Sequence, residues 1–349
     1  MKIISRESNI LLILFLATLS NCNSVKEIYT KREIKEIPDF IQTLNESDER
    51  EKILEKEDFI DATDYLPKGF LKDASKDYTE FIQFALDENN YVKLPNFPLL
   101  INDKGIDIKS NKILVFDKKT ILVLQPSAKT NYEILRIHKQ KNIIVFSPKI
   151  EGDKYNHLNK KGEWGMGISI ISSKDVKIIN PIIERCWGDG IYLGQSGNET
   201  CKNITIEYGL LNDNRRNGIS IISADGLKIQ NLIVSNTKGT NPQAGIDFEP
   251  NRNNEKLKNI ELRNIYTYKN KNQGMFFVFG ALKETKDSIS ISVNNFISNH
   301  SKKSIGFHNM NNAGIKGNIE IINFKSKNST NPIYYFKNSL KDHLNIKIE

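Results

Sequence analysis

A glycine followed by an apolar residue and a short strand-like run recurs six times in the second half of the chain. Successive copies are 23, 28, 27, 29 and 32 residues apart. The six glycines are Gly167, Gly190, Gly218, Gly245, Gly274 and Gly306. A unit of two or three short strands cannot bury its own inner face, whereas stacked units share a continuous core and pair every strand with its neighbours. A period of this kind therefore indicates a solenoid.

An asparagine ends a pattern of alternating apolar residues in nearly all of the same units. It stands at Asn180, Asn231, Asn264, Asn295 and Asn323, and Tyr208 takes its place in the remaining unit. Stacked asparagines can satisfy turn backbone groups and one another's side-chain amides. The residue signatures of leucine-rich and propeller repeats are missing. We therefore predict an all-β chain that folds as a single-stranded right-handed parallel β-helix, a solenoid of short strands.

A short amphipathic helix is predicted just before the first strand-like runs. The segment Asp77–Glu80 has the pattern of a helix-capping box, and apolar residues follow at helical spacing. They are Phe81, Ile82, Phe84, Ala85 and Leu86. The open end of a solenoid needs a cover. We expect this helix to cap the N-terminal end of a β-helix domain that spans residues 76–349.

The segment before this domain, residues 23–75, is dense in Lys, Glu and Asp and has only short apolar clusters. High charge with little hydrophobic surface does not favour a core of its own. We predict a charged tether with at most one marginal helix, near residues 52–57.

The first 22 residues have the features of an export signal. Two basic residues precede an apolar run, Ile10–Ala17, that is too short to span a bilayer. Residues 19–22, LSNC, resemble the lipobox of bacterial lipoproteins, although Asn21 departs from the usual small residue. The resemblance implies a lipoprotein signal peptide over residues 1–22 and lipidation of Cys22. It also implies an exported protein anchored to a bacterial membrane, in the periplasm or at the cell surface.

Two further cysteines, Cys186 and Cys201, lie within the predicted domain. An oxidising compartment would allow them to form a disulfide. Nothing in the sequence sets the distance between them, so two free core thiols are the favoured interpretation.

The composition is that of a soluble globular protein, with 38% hydrophobic and 26% charged residues. It excludes a polytopic membrane protein and a wholly disordered chain. The formal net charge of +8 attracts polyanions such as uronate or sulfated glycans, nucleic acid or acidic lipid. The lysines are spread along the chain, which equally fits a general bias of composition. Charge alone therefore does not select the partner.

The residue after each glycine is apolar, so we expect it to point into the core and the next residue to point outward. The predicted outward column contains Ser169, Tyr192, Ser220, Asp247, Phe276 and His308. Neighbouring coils lie about 4.8 Å apart, so such a column forms a continuous surface. Charged residues concentrate on three successive coils near its middle, where we predict the functional site.

Asp247 and Glu249 are two residues apart on one predicted strand, which places their Cα atoms roughly 6.5 to 7 Å apart. This is near the carboxylate separation of inverting glycoside hydrolases, in which one carboxylic acid protonates the leaving oxygen and the other activates water. We predict both as catalytic. With Asn251 the pair also forms an oxygen-rich face suited to Ca²⁺. The alternative is a solvated pair bound to Arg252 or Arg216.

Arg215 and Arg216 can bind a substrate carboxylate or sulfate, or stabilise the charge that develops during β-elimination. We predict Arg216 as catalytic, and Arg215 and Asn217 as substrate-binding. Asp189 is the remaining predicted catalytic residue, although Gly-Asp-Gly is also typical of a turn. The alternative for these groups is a structural ladder of salt bridges.

Aromatic side chains near the outward column are candidate platforms for sugar rings. We predict that Trp187, Tyr192, Phe276 and His308 bind substrate, and Trp164 is a further candidate. A tryptophan in such a position is just as often packed under a loop. The histidines show no zinc-ligand spacing, so a zinc site is not expected.

Four motifs carry a resemblance to a known superfamily: GEWGMGISI, CWGDGIYLG, NRRNGISII and AGIDFEPN. Together with a cap of the form D-x-T-x-x-I-Q-x-A at Asp77–Ala85, they resemble the pectate-lyase-like superfamily of right-handed β-helix proteins over about residues 76–340. The superfamily includes pectin lyases, polygalacturonases, epimerases and phage tailspikes. The resemblance implies a protein that acts on polysaccharides, but a fold does not by itself define an activity.

The polygalacturonase pattern is kept only in part. Asp189 stands alone where polygalacturonases carry two aspartates, and Asn217 replaces their histidine. Asp247 and Glu249 occupy positions where Arg and Lys would stand. Polygalacturonase activity by that mechanism is therefore not expected.

These patterns together predict a polysaccharide-cleaving enzyme, either a lyase or a glycoside hydrolase, that acts on an extended, acidic glycan along the exposed face of the solenoid. Two alternatives stay open: a non-catalytic glycan-binding surface lipoprotein and a C5-epimerase. No cofactor is required, and Ca²⁺ is an optional one. The expected partners are a polysaccharide and, through the lipid anchor, a membrane, but not nucleic acid.

Overall fold

The computed structural model describes residues 32–283, 288–310, 314–336 and 344–349 and shows a stack of short parallel strands. These ranges contain 25 strands, two α-helices and one 3₁₀ turn. Strands of successive coils pair in parallel throughout the described ladders. The predicted right-handed parallel β-helix with an N-terminal capping helix is confirmed.

The helices are α1 (Glu46–Leu54) and α2 (Thr79–Glu88), and the 3₁₀ turn spans Ala62–Tyr65. The strands are β1 (Ile60–Asp61), β2 (Tyr91–Lys93), β3 (Pro98–Ile101), β4 (Ile106–Asp107), β5 (Lys112–Val115), β6 (Ile121–Leu124), β7 (Asn131–His138), β8 (Lys141–Phe146), β9 (Lys149–Glu151), β10 (Trp164–Ile171), β11 (Lys174–Ile179), β12 (Ile182–Glu184), β13 (Ile191–Gly194), β14 (Cys201–Glu207), β15 (Leu210–Asn212), β16 (Asn217–Ile221), β17 (Ala224–Ser235), β18 (Ala244–Phe248), β19 (Leu257–Tyr268), β20 (Gln273–Val278), β21 (Ile289–Asn299), β22 (Lys303–His308), β23 (Gly317–Lys327), β24 (Asn331–Tyr335) and β25 (Leu344–Ile348).

The strands form three faces. Face A consists of β1, β2, β5, β8, β11, β14 and β25 with the first halves of the long strands β17, β19, β21 and β23. Face C consists of β3, β6, β9, β12 and β15 with the second halves of the same long strands. Face B is a separate nine-stranded sheet of β4, β7, β10, β13, β16, β18, β20, β22 and β24. Residues one coil apart on a face are therefore direct neighbours.

The repeated glycines form a column, which we call the glycine ladder, at the corner where face B begins. The packing at this corner requires glycine. A Cβ on Gly218 would lie 2.0 Å from Cγ1 of Val234, and one on Gly167 would lie 2.5 Å from Cγ2 of Ile183. Core side chains of face C fill this corner at close packing. A side chain at the ladder position would have no room.

In the last of these coils the ladder position belongs to Ser304, and Gly306 lies two residues further on. Residues on either side of Gly274 pair with those on either side of Ser304, which sets this register. A serine fits because its neighbour across the corner is the small Ser326, with the two Oγ atoms 2.7 Å apart. The sixth glycine of the repeat is therefore not a member of the ladder.

The asparagine turns lie at the bend between faces A and C. Asn231, Asn264 and Asn295 have φ values of 53°, 56° and 59°, in the left-handed region that asparagine tolerates. Nδ2 of Asn264 donates to Oδ1 of Asn231 over 2.9 Å, and Nδ2 of Asn295 donates to Oδ1 of Asn264 over 2.8 Å. Tyr208 adopts the same conformation, with a φ of 59°. The asparagines thus form a hydrogen-bonded ladder, as their spacing predicted.

Residues 32–54, which we call the strap, lie along the outside of the solenoid, so the prediction of a free tether is wrong for this segment. Ile34 and Ile41 are buried in a cluster with Ile233 and Tyr266 on the outer side of face C. The hydroxyl of Tyr266 also donates to the carbonyl of Lys35 over 2.7 Å. The outward apolar side chains of the long strands need a cover. The local composition of the strap does not show that this segment covers the long strands.

The helix α1 extends this cover onto face A. Its Ile53 packs with Phe146 and Ile179, and Nε of Arg50 donates to the carbonyl of Phe116 over 3.2 Å. The one marginal helix of the prediction therefore lies a few residues earlier than expected and is docked.

The first strand of the solenoid also lies before the predicted boundary at residue 76. Ile60 pairs with Val92, and Asp61 pairs with Lys93. The β-helix domain therefore begins near residue 60 rather than at residue 76.

The predicted cap, α2, covers the N-terminal end of the core. Oδ1 of Asp77 accepts a hydrogen bond from the backbone N–H of Thr79 over 2.9 Å, which satisfies one free donor at the helix start. Ile82, Ala85 and Leu86 are fully buried beneath the helix. The helix therefore buries three of the five predicted apolar residues, whereas Phe81 and Phe84 are exposed.

The predicted signal peptide and the lipidation site at Cys22 lie outside the described residues. No helix in the described part of the chain has the length and apolar character needed to cross a membrane.

Cys186 and Cys201 are both buried and free, so they do not form a disulfide. Burial raises the pKa of both thiols, to about 11 for Cys201. They are core side chains, which was the favoured of the two interpretations.

Candidate functional site

Polar residues from three neighbouring coils of face B meet midway along the solenoid. Asp189 precedes β13, Arg216 precedes β16, and Asp247 lies in β18. The structure brings together all four predicted catalytic residues, with Asn217 and Ser220 between them. We call this group the carboxylate cluster; its members are Asp189, Arg216, Asn217, Ser220, Asp247 and Glu249.

Arg216 joins two carboxylates of the cluster. Its Nη1 donates to Oδ2 of Asp189 over 3.1 Å, and its Nη2 donates to Oε2 of Glu249 over 2.9 Å. The Arg216 side chain is only 12% exposed, so the charges interact in a largely desolvated setting. Both terminal nitrogens of the guanidinium are occupied.

Asn217 and Ser220 supply the neutral hydrogen bonds of the cluster. The backbone N–H of Asn217 donates to Oδ1 of Asp189 over 3.0 Å, and its Nδ2 donates to Oδ2 of Asp247 over 2.9 Å. The Ser220 hydroxyl donates to Oδ2 of Asp189 over 2.8 Å. The sequence placed Ser220 in the outward column but assigned it no role, because nothing local distinguishes this serine from a surface one.

Asp247 is fully buried, and its surroundings favour the protonated form. Burial raises its pKa well above the ordinary value, the nearby Glu249 raises it further, and Arg216 opposes both effects. Oδ1 of Asp247 accepts no hydrogen bond from a described donor, and the nearby Glu249 carboxyl group disfavours a charge on Asp247. We conclude that Asp247 retains its proton at a pH where an isolated aspartate has lost it.

The carboxyl groups of Asp247 and Glu249, which we call the dyad, are close enough for Glu249 to raise the pKa of Asp247. Arg216 binds the Glu249 member of the dyad through a hydrogen bond. The separation of about 6.5–9.5 Å that an inverting pair uses stays a prediction.

Asp189 and Arg216 form the inner ion pair of the cluster. Burial raises the pKa of Asp189 and outweighs the opposing effects of Arg216 and Ser220. Burial lowers the pKa of Arg216, but Asp189, Asp247 and Glu249 together raise it above its usual range. The guanidinium is therefore a permanent positive charge amid three carboxyl groups.

Tyr192 lies beside the cluster on the outer side of face B. Its ring covers Gly194, where an added Cβ would lie 2.4 Å from Cε1 of the tyrosine. Burial, together with the negative charges of Glu255 and Asp189, raises the pKa of its hydroxyl to about 12. Tyr192 is therefore a neutral hydrogen-bonding group at neutral pH.

Trp187 and Arg215, both predicted to bind substrate, pack on each other. Cζ of Arg215 lies 3.7 Å from the centre of the indole ring, and Nη1 of Arg215 donates to the carbonyl of Gly162 over 2.9 Å. The imidazole of His157 stacks on Trp187 with ring centroids 4.0 Å apart. Trp187 is only 9% exposed. The pair holds the loop before β10 instead of presenting a platform, whereas Trp164 is 48% exposed.

His157 belongs to a buried polar group that sequence reasoning missed. Its Nδ1 lies 2.8 Å from Oδ2 of Asp153, and Asp153 also accepts a hydrogen bond from the Tyr132 hydroxyl. The i, i+4 spacing of Asp153 and His157 was the one available signal, and it is too common to be specific.

Phe276 and His308 lie at the C-terminal end of the outward surface. Phe276 neighbours Asp247 directly and is 7% exposed. His308 is opposite Val278, in the row that contains Glu249, and not in the column of Phe276 as predicted. The two-residue shift of Gly306 is the reason for this correction.

A second polar group lies toward the N-terminal end of face B. Nε2 of His138 lies 2.9 Å from Oγ of Ser169 and 3.4 Å from Oε1 of Glu133. On the same face Arg136 forms a bidentate ion pair with Asp107. The outward surface of face B is therefore polar well beyond the carboxylate cluster.

The oxygen-rich face proposed for Ca²⁺ does not have the arrangement that the ion requires. Asp247 and Glu249 are bound by Asn217 and Arg216, and a guanidinium stands where the cation would be. Among the described residues no group of three or more His, Cys, Asp or Glu side chains is arranged to hold a metal ion. Asn251, the third expected ligand, is exposed on the following loop.

The stacked coils and the charged outer side of face B define a parallel β-helix protein with a buried acidic and basic cluster at mid-length. No protein-family model matches the chain. The SPβ prophage-derived uncharacterized protein YorA of Bacillus subtilis (strain 168) is 28% identical over 208 residues, which are 51% of this chain and 35% of that protein. The uncharacterized protein YclG of the same organism is 27% identical over 236 residues, 62% of this chain and 38% of that protein. The chain thus spans little more than a third of the length of these curated relatives.

Solved structures share the fold at low identity. An iota-carrageenase complexed to iota-carrageenan fragments aligns with a TM-score of 0.55 and 16% identity, over 72% of this chain and 56% of that one. The tailspike protein gp49 from Acinetobacter baumannii bacteriophage Fri1, a capsular polysaccharide depolymerase, aligns with a TM-score of 0.50 and 13% identity, over 83% and 59%. These likenesses establish a shared β-helix architecture.

Proposed function

We propose that this protein cleaves an extended glycan by general acid/base hydrolysis at the carboxylate cluster. One observation carries the proposal: a fully buried carboxyl group with a raised pKa, Asp247, has the partly exposed carboxyl group of Glu249 beside it. A buried carboxyl group of this kind holds a proton that can be passed to a substrate. The β-helix neighbours named as an iota-carrageenase and a capsular polysaccharide depolymerase support a glycan as the substrate class.

Each member of the cluster has a separate role in this proposal. Glu249 is 27% exposed and is the group that contacts the glycan, so it passes the proton held by Asp247 to the leaving glycosidic oxygen. Water supplies hydroxide to the anomeric carbon, and the proton it releases restores the dyad. Asp247 holds the proton between turnovers, and Arg216 stabilises the carboxylate that remains after transfer. Asp189 orients Arg216 and does not touch substrate.

Hydrolysis is favoured over β-elimination by the state of Arg216. Elimination requires a positive group that is free to neutralise the uronate carboxylate in the transition state. Both terminal nitrogens of Arg216 already bind Asp189 and Glu249. Arg215, the other arginine of the pair, is held on Trp187.

The test is a panel of acidic and neutral polysaccharides incubated with the purified protein. New reducing ends without a rise in ultraviolet absorbance are expected, since that rise marks the unsaturated uronate ends of a lyase. Glu249→Gln and Asp247→Asn should each lower the rate at least a hundredfold. Glu261→Gln, on the exposed side of face A, is the matched control and should retain full activity. Unsaturated ends, or a change in uronate composition without cleavage, would overturn hydrolysis in favour of a lyase or an epimerase.

Glycan binding without cleavage is the second candidate, and one observation favours it. Asp189 and Asp247 have no exposed surface, and their hydrogen bonds are made within the cluster, as in a structural ladder. In that case Asp247→Asn would leave glycan affinity unchanged and no member of the panel would be cut. Turnover that disappears in Glu249→Gln excludes this candidate.

We also propose that the glycan is acidic. Lys238 and Lys271 are exposed in successive turns that lead into face B, and the chain carries a net charge of +8. The backbone N–H of Lys271 donates to the carbonyl of Thr237, which places the two turns directly side by side. Cleavage of an acidic polysaccharide should therefore slow as salt screens these charges.

Export and lipid anchoring through Cys22 complete the proposal. The LSNC motif at residues 19–22 supports it. Labelling of growing cells with a palmitate analogue should mark the protein, and Cys22→Ser should abolish the label. A label that persists in Cys22→Ser would contradict the assignment.

A further inference from the structure

On the outer side of face B, near its C-terminal end, Gly306 occupies the position that Phe276 holds one coil earlier. The next residue of this column is Tyr334. Gly306 has no side chain, so the rings of Phe276 and Tyr334 on the two neighbouring coils have no side chain between them in this column. An added Cβ on Gly306 would lie 3.0 Å from Cδ2 of Phe276, so the Phe276 ring leans over the glycine.

Several aromatic rings pack on one another around Gly306. Phe276 and Phe336 have ring centroids 5.9 Å apart, and His308 and Phe336 have centroids 4.9 Å apart. Tyr334 meets Phe336 edge-on, with centroids 4.7 Å apart. His308, Tyr334 and Phe336 are all partly exposed. An aromatic surface with accessible rings therefore follows the carboxylate cluster along the solenoid.

Lys303 lies over two of these rings. Its Nζ lies 4.2 Å from the ring centres of both Tyr334 and Phe336. The side chain makes no ion pair with a carboxylate of the described residues. Burial and the neighbouring Lys302 lower the pKa of its ammonium group. Lys303 therefore carries a positive charge that no carboxylate of the described residues neutralises.

From this arrangement we infer a binding subsite for one anionic pyranose residue, formed by Lys303, His308, Tyr334 and Phe336. The apolar face of a sugar ring packs well on an aromatic ring. A carboxylate or sulfate on that sugar would supply the missing partner of Lys303. A neutral sugar would leave the ammonium without a counter-ion, so the subsite selects anionic residues.

The subsite lies close enough to the dyad for one glycan to reach both. Asp247 is the direct neighbour of Phe276, and Glu249 lies two coils before His308, about 10 Å away at the usual strand spacing. A glycan bound along the solenoid axis would therefore span both sites. The inference deepens the proposed function, because it names the class of sugar and the direction in which the substrate extends from the point of cleavage.

The test measures binding rather than cleavage, so that the two proposals can fail separately. Three probes of equal length are used with the full chain: oligogalacturonate, a sulfated galactan oligosaccharide and a neutral galactan oligosaccharide. Calorimetry gives the affinity of each, and the ring signal of His308 in proton NMR reports contact at the subsite. His300, in the turn between faces C and B, is the reference signal.

At least one anionic probe should bind and shift the His308 signal but not that of His300, while the neutral probe does neither. Lys303→Met and Phe336→Ala should each weaken binding by roughly tenfold. Lys302→Met removes the same charge from the adjacent exposed position, and Phe84→Ala removes an exposed ring from the cap; both controls should bind normally. Which anionic probe binds distinguishes a uronate from a sulfated sugar.

Binding of the neutral probe with equal affinity, or anionic binding that Lys303→Met and Lys302→Met weaken equally, overturns the subsite. So does the absence of a His308 shift with every probe. Binding at the subsite without turnover would overturn hydrolysis alone, and turnover that is insensitive to Phe336→Ala and Lys303→Met would overturn the subsite alone.

Discussion

The side-chain amide of Asn217 donates to the carboxyl group of Asp247 over 2.9 Å, although 30 residues separate them in the chain. The bond crosses from one coil to the next, as do the bonds of Arg216 to Asp189 and Glu249. Each member of the carboxylate cluster therefore depends on the stacking of three coils. Changes that disturb the stacking should disturb the cluster, even when they lie in the core.

The substitution Asp247→Asn should separate stability from activity. Below the ordinary aspartate pKa of 3.8 the side chain is protonated in both the folded and the unfolded state, so it has no effect on stability there. As the pH rises above 3.8 the unfolded chain ionises freely, whereas the buried carboxyl resists ionisation because its folded pKa is raised. The wild type therefore loses stability between 3.8 and the folded pKa. Asparagine does not ionise and should escape this loss.

Urea unfolding measured from pH 4 to pH 8 tests the predicted direction of this pH dependence. The free energy of unfolding of Asp247→Asn, minus that of the wild type, should increase steadily as the pH rises. Asp225→Asn, on face A, serves as the control substitution. A difference that stays constant with pH would mean that Asp247 is ionised in the folded protein throughout the range.

Replacing Arg216 by methionine should destabilise the protein strongly. Asp189 would remain buried without the charge that compensates it, which typically costs about 3–5 kcal/mol. Arg263→Met removes an exposed arginine that is paired with Glu261 on face A, and it should have little effect. The midpoint of urea unfolding compares the two variants.

The double variant Arg216→Met with Asp189→Asn should recover part of the loss, because the unpaired charge on Asp189 is removed as well. If the two substitutions act additively, the Asp189–Arg216 ion pair does not account for the effect.

Gly218→Ala should destabilise by about 1–3 kcal/mol through overpacking, since the new Cβ would lie 2.0 Å from Cγ1 of Val234. The companion variant Val234→Ala opens space at the same corner. In its background the glycine substitution should cost much less, and thermal unfolding of the four proteins measures the coupling. An equal cost in both backgrounds would show that the corner is not the reason for the glycine.

The strap should contribute to global stability rather than act as a linker. Ile41→Asp places a charge in the cluster with Ile233 and Tyr266 and should lower the free energy of unfolding by at least about 2 kcal/mol. Thr43→Asp introduces the same charge at an exposed strap position and should be nearly neutral. If the two variants unfold alike, the strap is not docked in solution.

Local spacing was enough to predict the solenoid, the capping helix and the asparagine turns. Gly167 and Gly218 mark the corner, and Asn231 and Asn264 mark the bend, because each position is set by the backbone conformation and room within its own coil. The strand period also placed the predicted catalytic residues on one face. These features repeat along the chain and could therefore be recognised without knowledge of distant contacts.

Other features were decided only by contacts between distant parts of the chain. The strap pairs Lys35 with Tyr266 across 231 residues, and the stacking of Trp187 on Arg215 turns a predicted platform into packing. The raised pKa of Asp247 arises from complete burial together with the nearby carboxyl group of Glu249. Sequence patterns record which way a side chain points, whereas desolvation and hydrogen bonding depend on what covers it, and that is known only once the coils are stacked.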